Sequence, residues 1–202
     1  DMGRRRRFLL KDRSGHVLTI VEGGREFIGL DPRLPEARAW LSDRVRTVAD
    51  LVGSDGVALD SAIRSPRFLN RIDDPDGCYP PKFDEMIRAI TAQTPLTIFN
   101  NLSARSDQEQ LLAVAPGASI ERFGLNDNIA RAPTFAADIR PYLNAMGTHP
   151  DKTFLVYGRA SRNKTPYATY EQDWEWQRYL YCAYLLAAGP NTRWKQHAGF
   201  LT

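Results

Sequence analysis

Two acidic residues stand where they can work as a pair. Asp60 closes the short apolar run Gly56-Val-Ala-Leu-Asp60, and Glu121 lies late in Ala118-Ser-Ile-Glu-Arg-Phe123. A carboxylate against an apolar strand costs free energy unless it is paired or faces a polar cavity. Asp60 taken alone is equally well explained by pairing with an arginine such as Arg64, and Glu121 by pairing with Arg122 or Arg159. Two acids from non-adjacent strands of one rim shift the reading towards chemistry. Hydrolysis of a glycosidic bond needs such a pair, one carboxyl protonating the leaving oxygen and the other attacking the sugar or activating water. Their surroundings must differ, so that one keeps its proton while the other loses it.

Other side chains suit a supporting role. Asn100, Asn101, Arg159, Lys195 and His197 are candidates to hydrogen-bond sugar hydroxyls or to orient the acids. Tyr157 and Tyr79 are candidate ring contacts, because a sugar's C–H face matches an aromatic surface. Trp194, Tyr167, Tyr170 and Trp174 fall in the same C-terminal region. Trp176, Leu180, Ala183 and Ala187 share helical spacing, so Trp176 and the nearby Tyr184 read as packing residues. Asp31, in Leu30-Asp-Pro-Arg, is a further candidate contact, although an Asp just before a helix commonly caps it.

Competing chemistries lack their residues. The three histidines, His16, His149 and His197, are isolated, and no Cys-x-x-Cys or His-x-x-x-His pattern occurs, so no metal is expected. No Gly-x-Ser-x-Gly elbow, phosphate loop or dinucleotide fingerprint is present, and no cofactor is expected. The two cysteines, Cys78 and Cys182, make no disulfide framework. Cys182 reads as a small core residue and Cys78 as a loop residue.

The elements that must position these residues alternate between short β-type runs and amphipathic helices, the pattern of parallel βα units. Glu26–Asp31 is the first run. Pro35 opens a helix carrying Leu41, Val45, Val48 and Val52, which Gly53 stops. Gly56–Asp60 follows. A long loop, Ser61 to Pro80, then leads to a helix with Phe83, Met86, Ile87 and Ile90. Leu96–Asn101 is the third strand. Ser106 and Glu109 form a capping box for a short helix through Leu111, Leu112 and Val114. Ala118–Phe123, a helical stretch around Phe135 to Met146, and Thr153–Tyr157 come next. Thr169 and Gln172 cap a helix running to about Ala188, and Arg193–Phe200 is the last strand. The preceding Phe8–Val21 reads as a hairpin turning at Ser14-Gly15.

This pattern predicts a basic segment and hairpin over residues 1–25, then a (β/α)₈-barrel domain over 26–202. Six βα units are present. Active sites of such barrels form at the C-terminal strand ends, where Asp31, Asp60 and Asn100-Asn101 fall. A complete barrel has eight strands and typically about 250 residues, so the first two strands are expected to be missing, cleaved near Arg4–Arg7 or supplied by a partner chain. A doubly wound open sheet is the structural alternative.

Composition narrows the partners. The 202 residues are 43% hydrophobic, enough for a buried core. No apolar run approaches the roughly 20 residues of a bilayer span. The net charge is +3, with much of the surplus in Arg4–Arg7. No base-stacking motif accompanies that run, so nucleic acid is not an expected partner.

One further pattern goes beyond single residues. Leu30-Asp-Pro, a helix with Trp40-Leu41, and Ser54-Asp-Gly-Val-Ala-Leu-Asp60 together resemble the Asp-Gly-Val-x-x-Asp segment of glycosyl-hydrolase-like TIM-barrel proteins, distant relatives of the endo-α-1,4-polygalactosaminidases. Ile120-Glu-Arg-Phe is similar to that group's strand-end glutamate. Tyr179-Leu-Tyr-Cys-Ala-Tyr-Leu-Leu-Ala-Ala-Gly is similar to its final helix. The likeness runs from about Phe27 to Phe200. It implies Asp60 as nucleophile or base and Glu121 as general acid, acting without a cofactor on a polysaccharide or oligosaccharide, with an extracytoplasmic setting favoured. The alternative is a catalytically silent carbohydrate-binding barrel.

Overall fold

The computed structural model describes residues 6–22, 25–60, 62–100, 102, 109–123, 139–159 and 170–197. The chain forms two compact units, Asp1–Val57 with Ile63–Thr97, and Ala58–Ala62 with Ile98–Thr202.

The first unit begins with an antiparallel meander. Lys11 bridges Val17 around a turn in which Gly15 adopts φ +80°. Asp12 Oδ1 accepts from the backbone N–H of Ser14 and His16 at 2.9 and 3.0 Å. The hairpin expected at Ser14-Gly15 is therefore present. Strands β1 (Thr19–Glu22) and β2 (Arg25–Ile28) then pair antiparallel, with Glu22 opposite Arg25.

Two helices complete this unit. Helix α1 spans Pro35–Val52 and ends at Gly53, whose φ of +64° is the left-handed stop that glycine adopts without strain. Helix α2 spans Tyr79–Gln93 and buries Tyr79, Phe83, Met86, Ile87 and Ile90, the apolar stripe read from the sequence. Asp74 caps it, its two oxygens accepting from the N–H of Cys78 and Tyr79 at 3.0 and 2.9 Å. Ser42 of α1 donates to the Ala89 carbonyl of α2 at 2.7 Å, which fixes how the helices meet.

The second unit is a parallel sheet of β3 (Ala58–Leu59), β4 (Ile98–Asn100), β5 (Gly117–Phe123), β6 (Thr153–Arg159) and β7 (Thr192–His197), in that spatial order. A doubly wound sheet must reverse its order at a switch point. Among the described strands no reversal occurs, and each new strand is added to the same edge, as in barrel winding. Helices α3 (Arg140–Thr148) and α4 (Tyr170–Leu185) belong here. Phe99, Ala118, Ile120, Phe123, Phe154 and Val156 are buried. Trp194 of β7 packs on Tyr184 and Tyr181 of α4 at ring separations of 5.2 and 5.6 Å, so this is the helix-covered face of the sheet.

Three expectations are corrected. The parallel strands number five among the described residues, not six, because Glu26–Asp31 contributes to an antiparallel hairpin. The Gly23-Gly24 pair of the sequence is a two-residue hairpin signal, and Phe27 and Ile28 are 45% and 55% exposed, unlike a strand buried on both faces. The short helix through Leu111 is a 3₁₀ turn, Gln110–Ala113. Cys182 is exposed: α4 buries Leu180, Ala183 and Tyr184, and residue 182 falls on the other side of the turn. The capping residues Ser106 and Thr169 lie outside the described residues.

Candidate active site

The site is built on the sheet face opposite α4. Adjacent parallel strands place register partners on the same side, and successive residues on opposite sides. Ile120, Val156 and Trp194 share one register row and point towards the helix. Ser119, Leu155 and Arg193 make the preceding row, and Asn100 pairs with Ser119. Asn100 and Ser119 therefore occupy the other face.

Asp60 follows Leu59, the last residue of β3, and is exposed. Asn100 Nδ2 donates to Asp60 Oδ1 at 2.9 Å, and Ser119 Oγ donates to Asn100 Oδ1. Hydrogen bonds thus run in one direction across three strands, from hydroxyl to amide to carboxylate. The backbone beyond each strand end is fastened to the next strand, Ala62 N–H to the Asn100 carbonyl at 3.2 Å and Leu102 N–H to the Ser119 carbonyl at 2.8 Å. Arg64 forms a two-point pair with Asp84, Nε to Oδ1 at 2.9 Å and Nη2 to Oδ2 at 3.1 Å.

Glu121 lies in β5, two residues beyond Ser119. The β5–β6 register shifts between Ile120 and Phe123, so Glu121 and Arg122 together stand opposite Tyr157. Such a bulge bends a strand and re-aims its side chains, and bulges are enriched beside active sites. Tyr157 is half-buried and pairs with Lys195, and Arg159 pairs with His197. These register positions bring five expected site residues to the C-terminal half of the sheet. The side chains of Glu121, Arg159, Lys195 and His197, and the whole of Asn101, lie outside the described part.

Two expected contacts belong to the first unit and have other partners. Asp31 is 7% exposed. Its Oδ1 accepts from the backbone N–H and Nε of Arg33, and its Oδ2 from Arg33 Nη2 at 2.8 Å. It does not cap α1, whose N-cap is Leu34; the loop turns back on Arg33 before the helix starts. The hydrogen bond to Asp31 holds the Arg33 guanidinium above its ordinary range, against the opposing effect of burial. Tyr79 is buried within the first turn of α2, between Phe68 and Phe83 with ring centroids 6.2 Å from each. Burial, reinforced by the Asp31 carboxylate, pushes its phenol well above the usual range. Trp194 packs against α4 and Phe123.

Ser119 is the residue that sequence reading passed over. Its signal was present: a hydroxyl between Ala118 and Ile120 in a strand needs a hydrogen-bond partner if it is buried. Among the described residues no group of three or more His, Cys, Asp or Glu side chains is arranged to hold a metal ion. No described helix is long and apolar enough to cross a membrane.

No protein-family model matches the chain, and no curated protein sequence matches it. Among solved structures, it is similar to the α-galactosidase TtGalA of Thermus thermophilus, determined in complex with stachyose, with a TM-score of 0.50 and 18% sequence identity. The match covers 89% of this chain and 40% of the galactosidase chain, so this chain spans less than half of its neighbour's length. What the two share is a fold, an α/β architecture that in this chain is built on a five-stranded parallel sheet.

Proposed function

We infer that this chain carries the catalytic carboxylates of a glycoside hydrolase cleaving O-glycosidic bonds in a polysaccharide, with activity akin to that of the endo-α-1,4-polygalactosaminidases. The observation that supports this most is the exposed Asp60 at the end of β3, one oxygen held by Asn100. A carboxylate fixed in plane at the C-terminal end of a parallel strand suits attack on an anomeric carbon or activation of water. Glu121 supplies the proton to the leaving oxygen. Sugar binding is assigned to Asn100, Asn101, Tyr157, Arg159, Lys195 and His197. Asp31 and Tyr79 belong to the first unit, where Arg33 pairs with the one and Phe68 and Phe83 pack on the other.

Release of reducing ends from a panel of amino-sugar, arabinan and galactan polymers tests this reading, with binding to the same polymers measured in parallel. Turnover abolished in Asp60→Asn supports hydrolysis. Binding without turnover in the wild type would replace it with a carbohydrate-binding barrel.

A further inference from the structure

The bond chain across β3, β4 and β5 has a direction, and that direction gives Ser119 a role. A side-chain amide can be placed two ways, exchanging its oxygen and nitrogen. An ionised carboxylate only accepts, so Asp60 requires the nitrogen of Asn100 to face it. The Asn100 oxygen then points along β5 and needs a donor. Ser119 is 3% exposed, between the fully buried Ala118 and Ile120, and its hydroxyl donates there. In the flipped amide the Asn100 oxygen would oppose a carboxylate oxygen, and the Ser119 hydroxyl proton would lose this acceptor. The observed orientation makes both contacts at once.

We propose that Ser119 is a positioning residue that acts on Asp60 through Asn100: its buried hydroxyl fixes the amide, and the amide fixes the plane of the carboxylate. The catalytic consequence rests on the reading of Asp60 as nucleophile or base, whereas the positioning itself does not. Without the hydroxyl the Asn100 oxygen loses this donor, the amide is held less firmly, and so is the Asp60 carboxylate that it contacts. Asn100 touches the carboxylate directly. The Ser119 hydroxyl bonds to Asn100, so its effect on Asp60 is a test of transmission.

The deciding experiment follows hydrogen exchange of the two Asn100 side-chain amide protons by nitrogen-resolved NMR in the full chain, comparing wild type, Ser119→Ala and Ser119→Thr. The hydroxyl does not touch these protons. Losing one ordinary hydrogen bond, a several-fold effect, nonetheless speeds their exchange about fivefold in Ser119→Ala, and Ser119→Thr restores it. Backbone amides of Ile120 and Phe123 keep their protection. Ser119→Cys, a near-isostere with a weak donor, gives an intermediate rate and serves should the alanine variant fail to fold. Unchanged Asn100 exchange in Ser119→Ala or Ser119→Cys overturns the proposal, as does loosening shared equally by the β5 backbone. In the polysaccharide assay Ser119→Ala lowers kcat about tenfold with KM unchanged. A wild type with no turnover would count against the hydrolase reading alone, because the exchange measurement does not depend on activity.

Discussion

Asn100 Nδ2 lies 2.9 Å from Asp60 Oδ1, an amide on one strand holding the carboxylate at the end of its neighbour. A hydrogen bond to a charged group contributes about 1.5–3 kcal/mol, and 1.4 kcal/mol corresponds to about a tenfold change in rate. Asn100→Ala should therefore lower kcat about tenfold or more while the chain still folds, since Asn100 and Asp60 are not core residues. Turnover and thermal unfolding of the variant check this together. A wild-type rate would show that the contact does not serve the reaction.

The first unit is held by ion pairs. Arg33 joins Asp31 at 2.8 Å and lies 3.8 Å from Asp74, the residue that caps α2. Breaking a buried pair strands the remaining charge, at about 3–5 kcal/mol when burial is complete. Asp31 and Arg33 retain 10% and 24% side-chain exposure, so Arg33→Ala should destabilise by about 2–4 kcal/mol, a value scaled down for solvent screening. Arg33→Ala/Asp31→Ala should recover part of that loss. Denaturant unfolding measures both.

Tyr79 makes stability depend on alkaline pH. Burial, with the Asp31 charge adding to it, raises its phenol above the ordinary value of 10.0 in the folded chain, while the unfolded chain releases that proton near 10.0. The protonated form is the one the fold favours. Its contribution is thus complete below the ordinary phenol value and declines as pH rises past it. Raising the pH from about 9 to about 11 should lower the denaturation midpoint more in wild type than in Tyr79→Phe. Parallel curves for the two proteins would contradict the assignment.

Two glycines should respond in opposite directions. A Cβ on Gly117 would lie 2.1 Å from the Thr153 carbonyl oxygen, against the backbone of β6, which neither strand can move without breaking the pairing. Gly117→Ala should destabilise by about 3 kcal/mol or more, as an overpacked interior does at its worst. Gly147, in α3, has nothing within 4 Å of the same position. Gly147→Ala should stabilise by about 0.5 kcal/mol through the lost freedom of the unfolded chain. Thermal unfolding of the two variants decides the matter.

Strands β3, β4 and β6 were readable in advance because each is built on a short apolar or β-branched run. Gly53 and Pro35 marked the ends of α1 for plain backbone reasons. Glu26–Asp31 was misplaced because a half-apolar run looks alike in a parallel and an antiparallel setting; only the Gly23-Gly24 pair before it carried the difference. Asp60 and Asn100 could be named from their strand-end positions. Their mutual contact could not, since it depends on the Asn100–Ser119 register that pairing alone sets. The burial of Tyr79 and Asp31 was not legible either, because a residue near a helix start reads as exposed.

The most direct test of the carboxylate pair compares reducing-end release by wild type, Asp60→Asn and Glu121→Gln on the same polysaccharide panel. Wild type should turn over at least one polymer, and each variant should fall about a hundredfold or more, the loss expected when an acid–base partner is removed. Undiminished turnover in either variant would contradict the pairing of Asp60 with Glu121.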